Sequence, residues 1–599
     1  MNKHYEKFKN EIHEIISNVN LPDGKKVVEE GKALADTVKI GRTLFCEKHG
    51  VESEYAFKQK MKEEGTIMYQ CQIGLDTWEE TADALIKLYD TMEAEGYHMH
   101  RFGVCLERGM ALPPEYRERL PRETGPRLEH EEDWLKLGQT VPMQPHMGDF
   151  MIGFPNSVSN TINALKAGVT TIGNLSQFIA FNIPGWTDIA YTTQETVKAI
   201  AILAGKRDRG TLLHSYLDDG VASLFNDHAS IAGWAIIERY IVEELIGARL
   251  GHCFGGVAVT PEVRAAWVFA LNDIYEGDCV GTMYYGDTIS SNEDLTHNSA
   301  VAAQYLLWDI MAQLKCPTGH AMMPVPFSEG IRIPNLDEII EIQKYARGIE
   351  VAARNLLPYT DFTKCYQIKD KIVAGGRKFA KALLAGLDEV GVDIEDPVQM
   401  LYVMKMANPR TLEDAFMQGP IDETMPNGRS PVFQTDVFSN TTNITYAISK
   451  SMASDDIQNI NGERTVILAS TDVHEHALFV MNSLFDEYGV KVVYLGPESN
   501  TTHIIDAAVS NNADAVAVST HNGAALEIGE LLINEMKERC WKGQVYIGGM
   551  LNQCVVGEQM PVDVLDNLRE MGFSCNIEFK EMVREIIQSP LEISSNNIL

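Results

Sequence analysis

The sequence predicts an α/β protein in two parts, a closed TIM-like (β/α)8 barrel followed by an open, doubly wound parallel sheet of Rossmann-like (flavodoxin-like) type. Three observations predict it. Eight short apolar runs alternate with stretches of helical period between residues 67 and 327. A tighter strand and helix alternation fills residues 462–599. A chain of 599 residues is also too long for one hydrophobic core.

The first eight runs are IMYQCQIG from Ile67, HRFGVCL from His100, TVPMQP from Thr140, VTTIGNL from Val169, GTLLHSY from Gly210, RLGHCFGG from Arg249, CVGTMYYG from Cys279 and HAMMPVPF from His320. Helical connectors such as TWEETADALIKLYDTMEAEG separate them, which is the pattern of a parallel barrel carrying its chemistry at the strands' C-terminal ends. Residues 1–65 read as an N-terminal helical extension, and 66–407 as the barrel with further helices at its end. Residues 408–461 turn to Pro, Gly, Asn, Ser and Thr and read as a linker, with the second domain at 462–599.

An apolar share of 45% with 23% charged residues is that of a folded protein. The net charge of -33, from 84 acidic and 51 basic side chains, repels phosphate backbones and anionic lipid surfaces, so neither nucleic acid nor membrane is an expected partner. The first twenty residues lack an apolar run of signal-peptide length, and a cytoplasmic location is expected. Ten cysteines without a CxxC pair read as buried thiols in a reducing compartment, with no zinc or iron–sulfur site.

The second domain reads TVILAST, HALFVMNSLFDEYG, VKVVYLG, IIDAAVSNNA, DAVAVST, ALEIGELLINEMKER and QVYIGG. Ligands of such sheets dock at the strand C-termini, so the residues that matter follow each strand. They are Asp472-Val473-His474-Glu475-His476-Ala477, then Ser519-Thr520-His521, then Gly548-Gly549. A histidine at a strand end is usually a hydrogen-bonded surface or core group. What singles out His474 is its place after a strand, ahead of Ser and Gly-Gly after later strands.

This set resembles the cobalamin-binding domain of mutases and of methionine synthase, whose pattern is DxHxxG, SxL and GG. The resemblance implies that His474 ligates cobalt through a neutral imidazole and that Asp472 holds the other ring nitrogen's proton. It further implies that Ser519, His521, Gly548 and Gly549 line the path of the cofactor's nucleotide tail, where glycines let the backbone come close. Ala477 replaces the motif glycine and His521 replaces a small apolar residue, and both departures bear on the geometry of the tail. His476 is a weaker rival ligand, having no carboxylate two residues before it.

In the barrel, NLSQFIAFNIPGWTD at Asn174, QPHMG near His146 and FSEGIRIP near Glu329 resemble the large subunit of glutamate mutase, within the adenosylcobalamin-dependent carbon-skeleton mutases. The resemblance implies adenosylcobalamin as cofactor and a five-carbon dicarboxylate as substrate. It points to Arg108 as one carboxylate clamp, where an arginine fork fixes a carboxylate's plane and charge. Gln72 and His146 stand where the family has its other two arginines, able to donate as an amide and as an imidazolium. Glu329 matches the glutamate that bonds the adenosyl ribose, while Val325 replaces the accompanying lysine. Leu175 and Phe181 stand at the positions that serve the substrate's ammonium group, and an ammonium there would lose its counter-charge at a cost of about several kcal/mol.

An amine-free five-carbon diacid is therefore expected, 2-methyleneglutarate rearranging reversibly to 3-methylitaconate. Asn174, His214, His252, Tyr284 and Tyr285 fall at strand ends and are expected near the mouth. Self-association into a homo-oligomer is expected as well. The alternatives are a mutase of glutamate or a related diacid, a corrinoid methyltransferase, and a non-catalytic cobalamin carrier.

Overall fold

The computed structural model describes residues 3–75, 77–117, 125–183, 186–256, 258–287, 289–329, 331–425, 427–453, 464–472, 476–497, 499–521, 523–553, 555, 561–575 and 577–588. The chain divides into two compact units, one of residues 1–329 and 334–436 and the other of 330–333 and 437–599.

In the first unit eight parallel strands close into a barrel: β1 (Met68–Ile73), β2 (Arg101–Val104), β3 (Gln144–Met147), β4 (Thr171–Ile172), β5 (Leu212–Tyr216), β6 (Leu250–Phe254), β7 (Met283–Tyr285) and β8 (Ala321–Met323), with β8 pairing back onto β1. Each of the eight predicted runs contributes one strand. Side chains alternate across the wall. Met68 joins Tyr216, Cys253, Met283 and Ala321 in the barrel's inner cluster. Tyr69, Cys71 and Ile73 belong to the outer core between strands and helices, where the Tyr69 hydroxyl donates to Glu350 at 2.7 Å.

The N-terminal extension is part of this unit, and it closes the barrel's floor. Helix Glu54–Glu64 starts at the capping hydroxyl of Ser53, and its Phe57 and Met61 join the inner cluster. On the same face Glu54 takes Arg101 Nε at 3.0 Å and Lys58 Nζ at 3.3 Å, all three side chains being fully buried. Lys58 also donates to the carbonyls of Gly281 and Thr282, just ahead of β7. Burial pushes the Glu54 carboxyl up, but Arg101 and Lys58 outweigh it and hold it below its ordinary value.

Residues 408–461 differ from the linker the sequence suggests, because they hold helices Pro409–Phe416 and Asp436–Ala453, and the unit boundary follows Asp436. Part of the composition that read as a linker serves a helix start, and the Ser, Asn and Thr residues of 439–445 lie within helix Asp436–Ala453. Asn408 caps the first helix by accepting from the Arg410 N–H at 2.9 Å, with Pro409 in its first turn.

The second unit carries β9 (Thr465–Ser470), β10 (Lys491–Gly496), β11 (Ala515–Thr520) and β12 (Gln544–Gly549) in the parallel order β10-β9-β11-β12, extended by Ser574–Cys575. Ile467, Ala469, Val516, Val518 and Ile547 pack on one face, while Val466, Leu468, Ala515, Ala517 and Tyr546 pack on the other. The order reverses direction between β9 and β11, which makes their C-terminal ends the ligand crevice of this sheet type. Among the described residues no helix is long and apolar enough to cross a membrane.

Glu54→Gln leaves two buried cations without a counter-charge, and a loss of about 3–5 kcal/mol is expected as a lowered thermal midpoint at neutral pH. The Lys58 ammonium is already pushed down to about 8 by burial and by Arg101. A lysine with a lowered folded-state pKa binds fewer protons folded than unfolded, so the variant's deficit should shrink as pH rises toward 9. A variant that melts like the wild type at pH 7 would show that the carboxylate does not hold the floor together.

Candidate functional site

In the second unit the crevice gathers three strand ends in register. Ser519 lies between Ser470 and Gly548, and Thr520 lies beside Gly549. Asp472 is buried, its Oδ2 accepting from the His521 backbone N–H at 2.6 Å, with Oδ1 3.7 Å from the His521 ring Nδ1. Ser470 Oγ donates to Asp472 Oδ1 at 3.3 Å. Gly549 has a φ of 99°, and a Cβ there would lie 2.2 Å from the Thr520 carbonyl oxygen and 2.9 Å from the His521 ring. A Cβ on Gly548 would meet nothing within 4 Å among the described residues. Ser519 Oγ is buried without a hydrogen-bond partner among the described residues.

Among the described residues, a buried hydroxyl with no partner, open space above Gly548 and a buried carboxylate at the switch point suit a large ligand with a polar tail. The residues present therefore fit a cobalamin. His474, the expected cobalt ligand, lies outside the described residues. The role foreseen for Asp472 on that ring falls there with it. His521, expected to line the path of the tail, stands with its ring beside Asp472 and Gly549 at the same strand ends.

In the barrel the structure brings Gln72 and His146 into the interior and places Arg108 and Glu329 on the loops after β2 and β8. Arg108 opens the short helix Arg108–Ala111 and is 5% exposed, while its neighbour Glu107 pairs with Arg127 at 2.7 Å. Glu329 is exposed, and its backbone N–H bonds to Pro326.

Two expected roles are corrected. His146 Nδ1 faces the Thr171 carbonyl at 3.1 Å, which only accepts, so that nitrogen carries the proton and Nε2 accepts from the Tyr216 hydroxyl. Burial, then Arg101, hold His146 well below the ordinary histidine range. It is a neutral ring with both nitrogens engaged, and no imidazolium is available to a carboxylate. Gln72 in turn spends its amide on Cys105 Sγ at 3.0 Å and Asp149 Oδ2 at 3.2 Å.

Of the strand-end residues, His252 and Tyr284 face away from the mouth. His252 lies between Glu238 at 2.9 Å and Tyr275 at 2.6 Å, and the Tyr284 hydroxyl donates to the Arg264 carbonyl, both in the outer layer of helices. His214 stays inside, donating to the Gly281 carbonyl at 2.6 Å and taking the Cys253 thiol at 3.3 Å. The Asn174 amide donates to Asp219 at 2.8 Å, and the Tyr285 ring lies 6.3 Å from that of Tyr216.

Sequence reasoning missed Asp149, Gln177 and Tyr216. Gln177 donates to Asp149 Oδ1 at 2.9 Å, opposite Gln72. Asp149 directly follows QPHMG and Gln177 lies within NLSQFIAF, so both resemblance segments held the signal.

A closed parallel barrel followed by a B12-binding sheet defines the class, a cobalamin-binding α/β protein. Residues 465–564 match the B12 binding domain family model. The chain is 34% identical over 107 residues to the glutamate mutase sigma subunit of Escherichia coli O157:H7, spanning 17% of this chain and 67% of that protein. It is 30% identical over 112 residues to glutamate mutase sigma subunit 2 of Haloarcula marismortui, spanning 18% and 74%. A cobalamin-binding protein of Desulfitobacterium hafniense DCB-2 aligns over 25% of this chain and 69% of its own at 16% identity and a TM-score of 0.19, a likeness too loose to argue from. Through its second domain the chain belongs to the B12-binding family of the glutamate mutase sigma subunits.

Gly549→Ala should cost about 1–3 kcal/mol of backbone strain and push the Thr520 carbonyl and His521 ring aside. The expected result is weakened cobalamin retention on gel filtration, followed at the corrin absorption band, with the barrel still folded. Gly548→Ala should leave the apoprotein's stability unchanged, since its Cβ enters open space.

Proposed function

We propose that the chain is an adenosylcobalamin-dependent carbon-skeleton mutase that interconverts 2-methyleneglutarate and 3-methylitaconate. The observation that carries the reading is the union, in one chain, of a parallel barrel with a B12-binding domain like the glutamate mutase sigma subunits. Leu175 supports the choice of an amine-free substrate, because it is fully buried in apolar packing at the position the resemblance gives to an ammonium-binding acid. When bound, adenosylcobalamin supplies a carbon-centred radical through homolysis of its cobalt–carbon bond.

The chain's own residues bind, orient and shield. In this reading His474 would ligate the metal, and Ser519, Gly548 and Gly549 would accommodate the tail. Glu329 bonds the adenosyl ribose, and Arg108 forks onto one carboxylate of the diacid. Burial keeps His146, His214, Cys105 and Cys253 in their neutral forms, His146 with Arg101 and His214 with His146 adding to the effect. Such a lining positions a substrate without competing acid–base chemistry.

The test is electron paramagnetic resonance and turnover of the full chain with adenosylcobalamin and each candidate diacid. A radical signal and product are expected with 2-methyleneglutarate. Both appearing with glutamate alone would overturn the substrate, and methyl transfer from methylcobalamin would overturn the class. Arg108→Ala should raise KM about 10- to 100-fold, the worth of a charge-assisted hydrogen bond.

A further inference from the structure

Helix Pro397–Met406 packs against helices Leu175–Ala180 and Ile189–Gly205, and Lys405 near its end reaches the C-terminus of the former. Its Nζ donates to the carbonyl oxygens of Phe181 at 2.7 Å and Ile179 at 3.3 Å. Among the described residues no carboxylate lies within ion-pair distance of it. Beside it lies a small pocket, partly open to solvent, lined by Phe154, Phe178, Phe181, Ile183, Trp186 and Lys405 itself. The wall is held in place. The Trp186 ring stands edge-on to Tyr116 with centroids 5.2 Å apart, and its indole N–H donates to the Thr192 hydroxyl at 3.1 Å.

An ammonium has three N–H groups, and the two carbonyls receive two of them, so the third has no protein acceptor among the described residues. The uncharged amine satisfies both carbonyls with its own two N–H groups and keeps a lone pair free. Burial, with no carboxylate opposing it, pushes Lys405 down to about 7. A lysine desolvated in an apolar pocket is activated as a nucleophile toward carbonyl compounds. A cation at a helix C-terminus also caps it, which accounts for the two carbonyl contacts but not for the aromatic pocket beside them.

We propose that Lys405 is a nucleophilic amine that takes a short-chain aldehyde as a Schiff base, its alkyl group seated in the pocket of Phe154, Phe178, Phe181, Ile183 and Trp186. The inference stands apart from the mutase reading. The nitrogen lone pair adds to the aldehyde carbon to give a carbinolamine. The aldehyde oxygen then leaves as water, carrying both hydrogens of the amine, and a C=N bond remains. No oxidant or reductant is needed. The imine takes one proton from solvent, and that N–H has the Phe181 carbonyl as its acceptor. An aldehyde suits the surroundings because it enters uncharged, whereas a carboxylate would stand against two carbonyl oxygens.

The test exposes the full chain at pH 7 to propionaldehyde and an amine–borane, which reduces the imine to a stable secondary amine, and maps the adducts by mass spectrometry. Exposed lysines such as Lys378 and Lys381 keep their protons at that pH, their ordinary value being about 10.4. Lys405 should be alkylated at least about tenfold faster than either. Unfolding in guanidinium chloride should erase the preference. Lys405→Arg keeps a cation on the two carbonyls, so its thermal midpoint should hold while the fast phase of mass gain vanishes. Alkylation of Lys405 no faster than Lys378 and Lys381 in the folded chain overturns the inference and leaves the amine a helix cap. A preference that survives unfolding overturns it, since the pocket then plays no part. A fast phase that persists in Lys405→Arg overturns it too, assigning the reactivity to another residue.

Discussion

Parallel strand pairing is the constraint on which both halves of the protein depend. A parallel neighbour can be reached only by a crossover that returns to the starting edge, so every strand in a sheet ends on the same side. That side collects the last residues of each strand and those that directly follow them. In the barrel these include Gln72, Cys105, Asp149 and Tyr216, from four different strands. In the second domain they are Asp472, Ser519, His521 and the Gly548-Gly549 pair, held side by side by the register of β9, β11 and β12.

The charges inside the barrel are arranged by depth. At the floor Glu54 stands against Arg101 and Lys58, a set whose members are tolerable in a low dielectric only together. Above it burial favours the neutral forms of the histidines and thiols. His146 and His214 are neutral rings with each nitrogen committed, and the thiols of Cys105 and Cys253 keep their protons. Such an interior is stiff, because each ring is fixed by partners on other strands. It also explains why no activated nucleophile stands out from the sequence, since burial raises the thiols and lowers the imidazoles.

The likeness to glutamate mutase sigma subunits covers about a fifth of the chain and concerns the B12-binding domain. The second domain therefore points to cobalamin as the cofactor class. In the barrel a buried leucine stands at 175 in apolar packing, and Asp149 lies between the amides of Gln72 and Gln177.

Read alone, the residue pattern determines the architecture, because hydrophobic periodicity is local and each of the eight runs needed only its own residues to become a strand. It also determines the crevice residues of the second domain, since a strand's end is visible in the chain. Local composition misled at 408–461, where Asn408 and Pro409 begin a helix, because cap residues and loop residues are the same types. Only the tertiary structure decided which way strand-end side chains face, turning His252 and Tyr284 outward and engaging Gln72 and His146 with neighbours far away in sequence. Such pairings join residues 25 to 77 positions apart, and hydrogen-bond partners at that separation leave no periodic trace for a linear reading to find.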